Sequence, residues 1–367
     1  MGSYSKFISE KRRSVPTPND IFDSEGKPVF GTFNSEFPSM SFMKAKKPTP
    51  FPDIMRKLRL TLWEAIEIDL PEGYLLLVIC DMGLFGLPFA IYYDYSSDTL
   101  HEYGIQTKSK DIITGPNLIN GSKTYVKTKD VYGCFTNNLD KDNITLEAKF
   151  PGNNEHSKEL EVKVDLNRVS LPSVVSIPLG KHNQPLYTQK DLFKCSGYVI
   201  VDGKRVDTTD ETCAVIDDHR GYYPRRMYYD WCCCMGMRDG KRFGFNITDN
   251  QSVNKEDYNE NLIWFEGKTS LLPPIKCTHV NNCQTIDFVN SKETPQEWLF
   301  TDEHDMVNLS FIPLGVHKNL TNVANVIVNC KYFAAVGRVT GYIRDEDGNK
   351  IEFKDYHAIA EDKRMLF

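Results

Sequence analysis

Residues 213–270 read CAVIDDHRGYYPRRMYYDWCCCMGMRDGKRFGFNITDNQSVNKEDYNENLIWFEGKTS, the densest mixture of acids, arginines and aromatic rings in the chain. Apolar runs in this stretch are broken by Asp239-Gly240 and Glu266-Gly267, pairs that are typical of short hairpin turns. Because side chains alternate across a strand, charged groups and large rings share a face in either register. An unpaired buried charge is costly, so we expect that face to line a cavity.

Short strands separated by turn signals continue through the rest of the chain. Alternation is strongest in residues 160–166 (LEVKVDL), where one face of a strand is expected to be solvated. Further turn pairs are Asp202-Gly203 and Asp347-Gly348. Evenly spaced short strands with few helices favour β-barrels or β-sandwiches, and two barrels fit 367 residues best.

The distribution of prolines and turns predicts three segments. Residues 1–50 contain repeated prolines without a sustained period, and we expect an extended N-terminal arm. A link near residues 180–185 would separate a first barrel, residues 51–185, from a second barrel, residues 186–367. The second barrel would carry the candidate site.

Charge and hydropathy exclude several classes of partner. A formal net charge of −6 and a pI near 5.8 argue against nucleic acid, whose phosphates require clustered Lys and Arg. Apolar runs such as residues 74–80 fall far short of the ~20 residues that span a bilayer, so we expect no transmembrane segment. The N-terminus lacks the apolar core of a secretory signal, which favours a cytoplasmic location. Nothing in the sequence points to an oligomeric state.

Cysteines and phosphate-binding motifs give no sign of a cofactor. The ten cysteines lie mostly in apolar surroundings, where a free thiol behaves as a small hydrophobe. Cys277, Cys283 and His279 resemble half a metal site, but no second ligand pair completes it, so we expect no metal. Phosphate-loop, dinucleotide-binding and nucleophile-elbow patterns are also missing, and we expect no cofactor.

A series of spaced motifs nevertheless resembles a known family. The motifs are LWEAIEI at 62–68, CDMGLFGLPFAIYYDY from Cys80, PLG at 178–180, YTQK at 187–190, Asp217 with Gly221, Pro224, Arg226 and Trp231, GFN at 244–246, NENL at 259–262, GRVTG at 337–341, Asp347-Gly348 and Ala360-Glu361. In this order they resemble the domain of unknown function family 2804. That family is distantly similar to the carotenoid 1,2-hydratase and hydroxyneurosporene synthase group.

The resemblance implies a mostly-β fold of two consecutive lipocalin-like antiparallel β-barrels with few short helices. It also implies relatives that include hydratases and cyclases acting on apolar polyenes. The chain departs from the pattern at Tyr229, Asp230, Lys363 and the run Cys232-Cys233-Cys234. These departures bear on the substrate more than on the fold.

Asp217 and Arg226 are the candidate catalytic residues. Asp217 and Asp218 point to opposite faces of a strand, so at most one of them enters a barrel. Beside aromatic rings, Asp217 could have a raised pKa and donate a proton to an alkene or enol. Arg226 could clamp a substrate oxygen. In the alternative interpretation the carboxylate and an arginine form an internal ion pair.

The candidate substrate-binding residues are amides and rings of the same stretch, namely Tyr223, Tyr229, Trp231, Asn246, Asn261 and Trp264. Inward amides could orient a ligand carbonyl, or they could hydrogen-bond to strand ends. The four rings are interpreted as wall and core rather than as acid–base groups, because aromatic burial alone explains them. His219 is interpreted as a turn residue, and Lys190 as a solvated lysine with a remote potential for Schiff-base chemistry.

Two functions follow from this set. The first is a cofactor-independent lyase, isomerase or cyclase, hydratase-like, acting on a hydrophobic small molecule such as a polyene, terpenoid or lipid. The second is a carrier that binds a hydrophobic ligand without chemistry, because one barrel can enclose one ligand. A third possibility, a module that binds a protein partner, would need a large exposed apolar patch.

Overall fold

The computed structural model describes residues 4–181, 183–280, 296–323 and 328–366. These residues form two compact units. The first unit is Arg13–Tyr223, and the second unit combines Met1–Arg12 with Pro224–Phe367. Within the described ranges, helical structure is limited to short 3-10 segments at Glu10–Arg12, Phe42–Lys44, Asp53–Arg59, Ser109–Asp111 and Leu139–Lys141.

The first unit contains one antiparallel sheet of 16 strands, counted over its described residues. The strands are β1 Gly31–Phe33, β2 Leu60–Leu70, β3 Gly73–Asp81, β4 Phe85–Asp94, β5 Thr99–Gly104, β6 Thr107–Lys108, β7 Ile112–Ile113, β8 Ser122–Lys127, β9 Tyr132–Asn138, β10 Asn143–Pro151, β11 Glu159–Arg168, β12 Val174–Pro178, β13 Pro185–Gln189, β14 Leu192–Val201, β15 Lys204–Asp207 and β16 Cys213–Tyr222. The main path runs β5-β4-β3-β2-β16-β14-β11-β10-β9-β8-β7. Most neighbours on this path are consecutive in the chain, which is the up-and-down pattern of a lipocalin-like meander.

Alternation in the sequence decides which side of this sheet is buried. In β11, Leu160, Val162, Val164 and Leu166 enter one hydrophobic core, and the residues between them stay at least partly exposed. The same core receives side chains from β2, β3, β9, β10, β14 and β16. The sheet is curled, as the bridge between Tyr103 in β5 and Gly152 just beyond β10 shows.

β16 joins the two halves of the first sheet. It pairs with β2 along its whole length, and on its other side with β14 at Cys213–Val215 and with β13 at Asp218–Gly221. Every residue of β16 is buried. A strand in this position is held by non-local partners on both sides, which makes its backbone a rigid platform for side chains.

Residues 13–50 pack as part of the first unit. Phe22, Phe33, Phe37 and Phe42 are buried in a second core with Tyr187 and its neighbours. The proline-rich arm is therefore anchored by aromatic burial, although most of it lies outside regular strands.

The second unit contains an antiparallel sheet of nine strands over its described residues. The strands are β17 Arg226–Arg238, β18 Lys241–Asp249, β19 Leu262–Phe265, β20 Lys268–Leu271, β21 Lys276–His279, β22 Trp298–Thr301, β23 Val307–Val323, β24 Val328–Arg344 and β25 Lys350–Leu366. Their order is β20-β19-β18-β17-β25-β24-β23-β22-β21. This sheet also curls, since Asp249 at the end of β18 accepts a hydrogen bond of 3.3 Å from the backbone N–H of Cys277 in β21.

The structure confirms the prediction of a mostly-β fold built from two consecutive curled antiparallel sheets. The division lies between Tyr223 and Pro224, whereas the turn signals in the sequence predict it between residues 185 and 186. The reason is that β13, β14, β15 and β16 complete the first sheet. Pro224 lacks a backbone N–H and ends the strand pairing at this point.

Two further observations concern thiols and membranes. The described cysteines are free thiols, and Cys232, Cys233 and Cys234 are fully buried. Cys283 lies outside the described residues. Among the described residues, no helix is long and apolar enough to span a bilayer.

Candidate functional site

β16 presents two different polar clusters on its two faces. Asp217 and His219 lie on one face, and Asp218 and Arg220 lie on the other, as the alternation of a strand predicts. All four side chains are buried. Because buried charges must be paired, each face of β16 needs charged or polar partners close by.

The face that carries Asp217 forms a continuous chain of hydrogen bonds. Lys190, between β13 and β14, donates to Oδ1 of Asp217. His219 Nδ1 lies 3.4 Å from the same oxygen. The hydroxyl of Tyr223 is hydrogen-bonded to His219 Nε2. Four side chains thus connect an ammonium, a carboxylate, an imidazole and a phenol within the first unit.

The charge state of Asp217 decides which groups donate and which accept in this series of hydrogen bonds. Burial alone would raise the Asp217 pKa, but the Lys190 charge, together with the His219 hydrogen bond, holds that pKa well below its usual value. An ionised carboxylate only accepts hydrogen bonds, so the contact with Asp217 favours the His219 tautomer that carries its proton on Nδ1. In that tautomer, Nε2 can accept a hydrogen bond from the Tyr223 hydroxyl.

This arrangement corrects the role expected for Asp217. A raised pKa was expected, and with it a proton donor, but the ion pair with Lys190 lowers the pKa and keeps the group ionised. Asp217 is suited to orient His219 and to stabilise its protonated form. The hydrogen-bonded series ends at Tyr223, which is 1% exposed.

Aromatic rings enclose the His219 end of the chain. Trp63 in β2 stacks on the His219 imidazole, with centroids 5.4 Å apart and planes 6° from parallel. Phe89 in β4 meets Trp63 edge-on at 5.9 Å. The β2–β16 register opposes Trp63 and His219 directly, which fixes the stack. An imidazole in such surroundings is shielded from water and held in one orientation.

The opposite face of β16 carries a second buried network. Arg220 binds both oxygens of Asp218 at 2.8 Å and also donates to the carbonyl of Gly115. Asn137 in β9 donates to Oε1 of Glu64 at 2.8 Å. Burial and the nearby Asp218 charge raise the pKa of Glu64 to about 7. Glu64 is therefore a buried carboxyl group that titrates near neutral pH.

Glu64 should make the stability of the first unit depend on pH. Its folded pKa lies above its ordinary value of 4.5, so the folded state favours the protonated form and loses stability as pH rises from about 4.5 to about 7. Glu64→Gln cannot ionise. The free energy of unfolding of the variant, taken relative to wild type, should increase by about 2–3 kcal/mol when the pH is raised from about 5 to about 8. Urea unfolding at both pH values measures this gain.

The matched control for that experiment is Glu147→Gln, a change at an exposed position of β10 in the same unit. Its effect should be small and equal at the two pH values. A Glu64→Gln effect that is the same at both pH values would contradict the assignment of a raised pKa to Glu64.

The structure does not group the predicted catalytic residues as expected. Asp217 and Tyr223 belong to the first unit, whereas Arg226 begins β17 in the second unit and is exposed. The continuous face expected from Tyr223 to Trp231 does not form, because the strand pairing stops at Tyr222 and resumes at Arg226. The ion-pair partner of Asp217 is Lys190, and Asp230 is held by Arg364 at 2.8 and 3.0 Å.

Tyr229 belongs to a polar cluster on β17, β24 and β25. Its hydroxyl donates to Glu361 Oε2 at 2.7 Å, and the Tyr332 hydroxyl donates to Glu361 Oε1 at 2.6 Å. The ammonium of Lys363 lies 5.3 Å from the Tyr332 ring centroid and 5.7 Å from that of Tyr229. A carboxylate between two phenols and a cation over both rings give the second unit its own buried set of charges.

The predicted amides are occupied by contacts within the second unit. Asn246 accepts a 2.6 Å hydrogen bond from Trp231 Nε1 and donates to the carbonyl of Glu260 at 2.9 Å. Asn261 accepts from the backbone N–H of Thr248 at 2.7 Å and donates to the carbonyl of Pro273 at 2.9 Å. Their geometry matches the alternative in which each amide ties neighbouring backbone segments together.

Trp231 and Trp264, the remaining predicted substrate-binding residues, are core residues. Both rings are almost fully buried in the second unit. An open cleft of about 400 Å³ in that unit is lined by the hairpin residues Arg238, Asp239, Glu266, Lys268, Asp345 and Lys350 together with Ile263, Phe265, Ser270, Asp347, Asn349 and Ile351. None of the predicted substrate-binding residues lines this cleft.

His219, Lys190, Trp63 and Glu361 are the functional candidates that sequence reasoning undervalued or missed. His219 was assigned to a turn, but it lies inside β16, and its two-residue spacing from Asp217 was the available signal for a shared face. Lys190 was assigned to solvent, yet it is 5% exposed. Trp63 and Glu361 stood only among the family motifs.

Fold and site together define a mostly-β protein of two antiparallel units with a buried cluster of ionisable side chains in the first. Residues 12–367 match the family model described as Domain of unknown function (DUF2804), and the chain belongs to this family. This confirms the resemblance seen in the sequence motifs. None of the curated proteins compared with the chain matches it.

Solved structures with a similar arrangement have little sequence in common with this chain. Kievitone hydratase from Nectria haematococca aligns with a TM-score of 0.47 and 9% identity, over 83% of this chain and 88% of its own. CghA with Sch210972 aligns with a TM-score of 0.42 and 10% identity, over 95% and 97% of the two chains.

Proposed function

We propose that this protein is a cofactor-independent lyase or isomerase of the hydratase type, which moves a proton to and from a hydrophobic small molecule. One observation carries the proposal: the buried chain from Tyr223 through His219 to the ionised Asp217 and Lys190. A structural ion pair needs no imidazole and phenol in series. A polarised phenol is a general acid–base group.

The proton steps follow from the direction of the hydrogen bonds. When the Tyr223 oxygen takes a proton from a substrate or from an attacking water, the Tyr223 proton passes to His219 Nε2. The resulting imidazolium is stabilised by the ionised Asp217, which Lys190 holds in place. In the reverse direction, the imidazolium returns a proton through Tyr223.

Hydration of a polarised double bond uses both directions in turn. The oxygen of water bonds to one carbon while the water proton enters the chain at Tyr223. His219 then returns a proton through Tyr223 to the neighbouring carbon. H and OH have thereby been added across the double bond. Trp63 and Phe89 provide the apolar surroundings that favour a hydrophobic substrate over a polar one.

The first experiment separates chemistry from carriage. Compounds that co-purify with the protein are identified by mass spectrometry, and the purified protein is then incubated in ¹⁸O-labelled water with those compounds and with a panel of unsaturated lipids and terpenoids. A hydratase incorporates ¹⁸O into a product, and an isomerase run in deuterated water incorporates deuterium. Recovery of every compound unlabelled and unchanged would support carriage and remove the catalytic assignment.

A further inference from the structure

Three side chains able to bind a metal converge in the second unit. Cys277 and His279 lie two residues apart in β21 and therefore on one face of the strand. Asp230 reaches them from β17. The carboxylate oxygen, the imidazole nitrogen and the thiol sulfur all lie within 4.8 Å of one another. Sequence reasoning expected no metal here because it found only the Cys–His half of the set.

The spacing of the carboxylate and imidazole ligand atoms suits a small divalent cation. Asp230 Oδ1 and His279 Nε2 are 3.2 Å apart. Two ligand atoms about 2.0 Å from a tetrahedral zinc ion lie about 3.3 Å apart, so this pair needs almost no movement. Cys277 and His279 are only partly buried, which leaves an entry path for an ion.

Contacts around the three ligands hold them in position. Arg364 binds Oδ2 of Asp230 at 2.8 Å and Oδ1 at 3.0 Å, and it can keep the first bond while Oδ1 exchanges the second for a metal. The His279 ring stacks on Trp298 with centroids 4.7 Å apart. The backbone N–H of Cys277 is bonded to Asp249. Such outer contacts orient metal ligands and raise affinity.

The local charge also favours a cation. Asp230, Asp249 and Asp362 are linked to two cations, Arg364 and Lys255, which leaves one net negative charge among these five groups. Cys277 adds a thiol to this group, and a metal ion binds cysteine as the thiolate. A divalent cation that displaces the thiol proton would neutralise the cluster.

We propose that Asp230, Cys277 and His279 form a zinc-type binding site with an open fourth position. Sulfur, nitrogen and oxygen donors in one set match the ligand preference of Zn²⁺ and Co²⁺, whereas Mg²⁺ and Ca²⁺ prefer oxygen alone. The site lies in the second unit and uses none of the residues of the Tyr223–Lys190 chain. The proposed metal site can therefore be tested independently of the proposed function.

Cobalt substitution tests the site. Full-length protein is stripped with a chelator and titrated with Co²⁺. Wild type should bind one equivalent and develop a thiolate-to-cobalt charge-transfer band that Zn²⁺ abolishes. Cys277→Ser should lose the band and weaken binding at least ~10-fold, because a direct ligand contributes no less than an outer contact. Cys330→Ser, at another partly buried thiol of the same unit, should behave as wild type.

A second variant keeps the test decisive. His279→Gln retains the thiol and should also weaken Co²⁺ binding at least ~10-fold, whether or not Cys277→Ser folds. Circular dichroism establishes that each variant is folded before titration. Absence of the band in wild type, or a band that survives in both variants, would overturn the proposal.

Discussion

His219→Gln should lower turnover by about 10²–10⁴-fold with any compound that wild type hydrates or isomerises. Glutamine keeps a polar side chain at this position of β16 but cannot take up and return a proton. The phenol of Tyr223 then loses its proton acceptor, and the ionised Asp217 loses the ring that it orients. Steady-state kinetics with the labelled products measure kcat and KM separately, and the loss should fall mainly on kcat.

The matched control for His219 is His101. Its ring is also paired with a carboxylate, Asp202, at 2.9 Å, and it also stacks on an aromatic ring, that of Tyr103. His101→Gln should therefore reproduce the structural cost of losing a paired, stacked histidine while leaving turnover unchanged. Equal activity of the two variants would show that His219 has no part in proton transfer.

Lys190→Met should destabilise the first unit by about 3–5 kcal/mol, because it leaves the buried Asp217 carboxylate without its cation. The side chains of this ion pair are 6% and 9% exposed, so water can do little to replace the lost partner. The methionine retains most of the buried aliphatic chain. Urea unfolding, with hydrogen exchange of the backbone amides of β2 and β16 as the probe, measures the loss of stability in this unit.

A double variant and an exposed pair complete that experiment. Lys190→Met combined with Asp217→Asn should recover part of the loss, because the second change removes the uncompensated charge. Lys194→Met breaks the exposed pair with Asp210 and should have little effect. A small effect of Lys190→Met, or no recovery in the double variant, would mean that Lys190 does not compensate the charge of Asp217.

Much of the fold could be predicted from local patterns. The alternation in β11 placed its four apolar residues in the core, and the pairs Asp202-Gly203, Asp239-Gly240 and Glu266-Gly267 fall at tight turns between paired strands. At each of these turns both residues have positive φ, as type I′ hairpin turns require. These signals are local, so they survive without knowledge of the tertiary structure.

The site could be predicted only in part, because its partners are distant in the chain. Asp217 was identified, but its pKa depends on Lys190, and the orientation of His219 depends on Trp63 in β2. Neither contact is encoded in the spacing around Asp217. The unit boundary was displaced for the same reason, since the pairing of β16 with β2 joins segments that are far apart in sequence.

The chemistry of Asn246 and Asn261 shows a related limit. An amide in an apolar strand is a good candidate for ligand binding, yet both amides serve hydrogen bonds within the second unit. Sequence patterns identify a buried polar group but not the atom that satisfies it. The neighbours of Asp230 could not be predicted for the same reason. Cys277 and His279 come close to Asp230 only because the second sheet curls.

The direction of the proton chain can be measured through the His219 ring nitrogens. Long-range ¹H–¹⁵N spectra at neutral pH resolve the tautomer of each of the eight histidines, and His219→Gln identifies the signals of this one. The expected result is a proton on Nδ1 and a hydrogen-bonded, unprotonated Nε2, with that preference lost in Asp217→Asn. A proton on Nε2 in wild type would contradict the account, because Tyr223 would then accept from His219 and could not pass its proton to the ring.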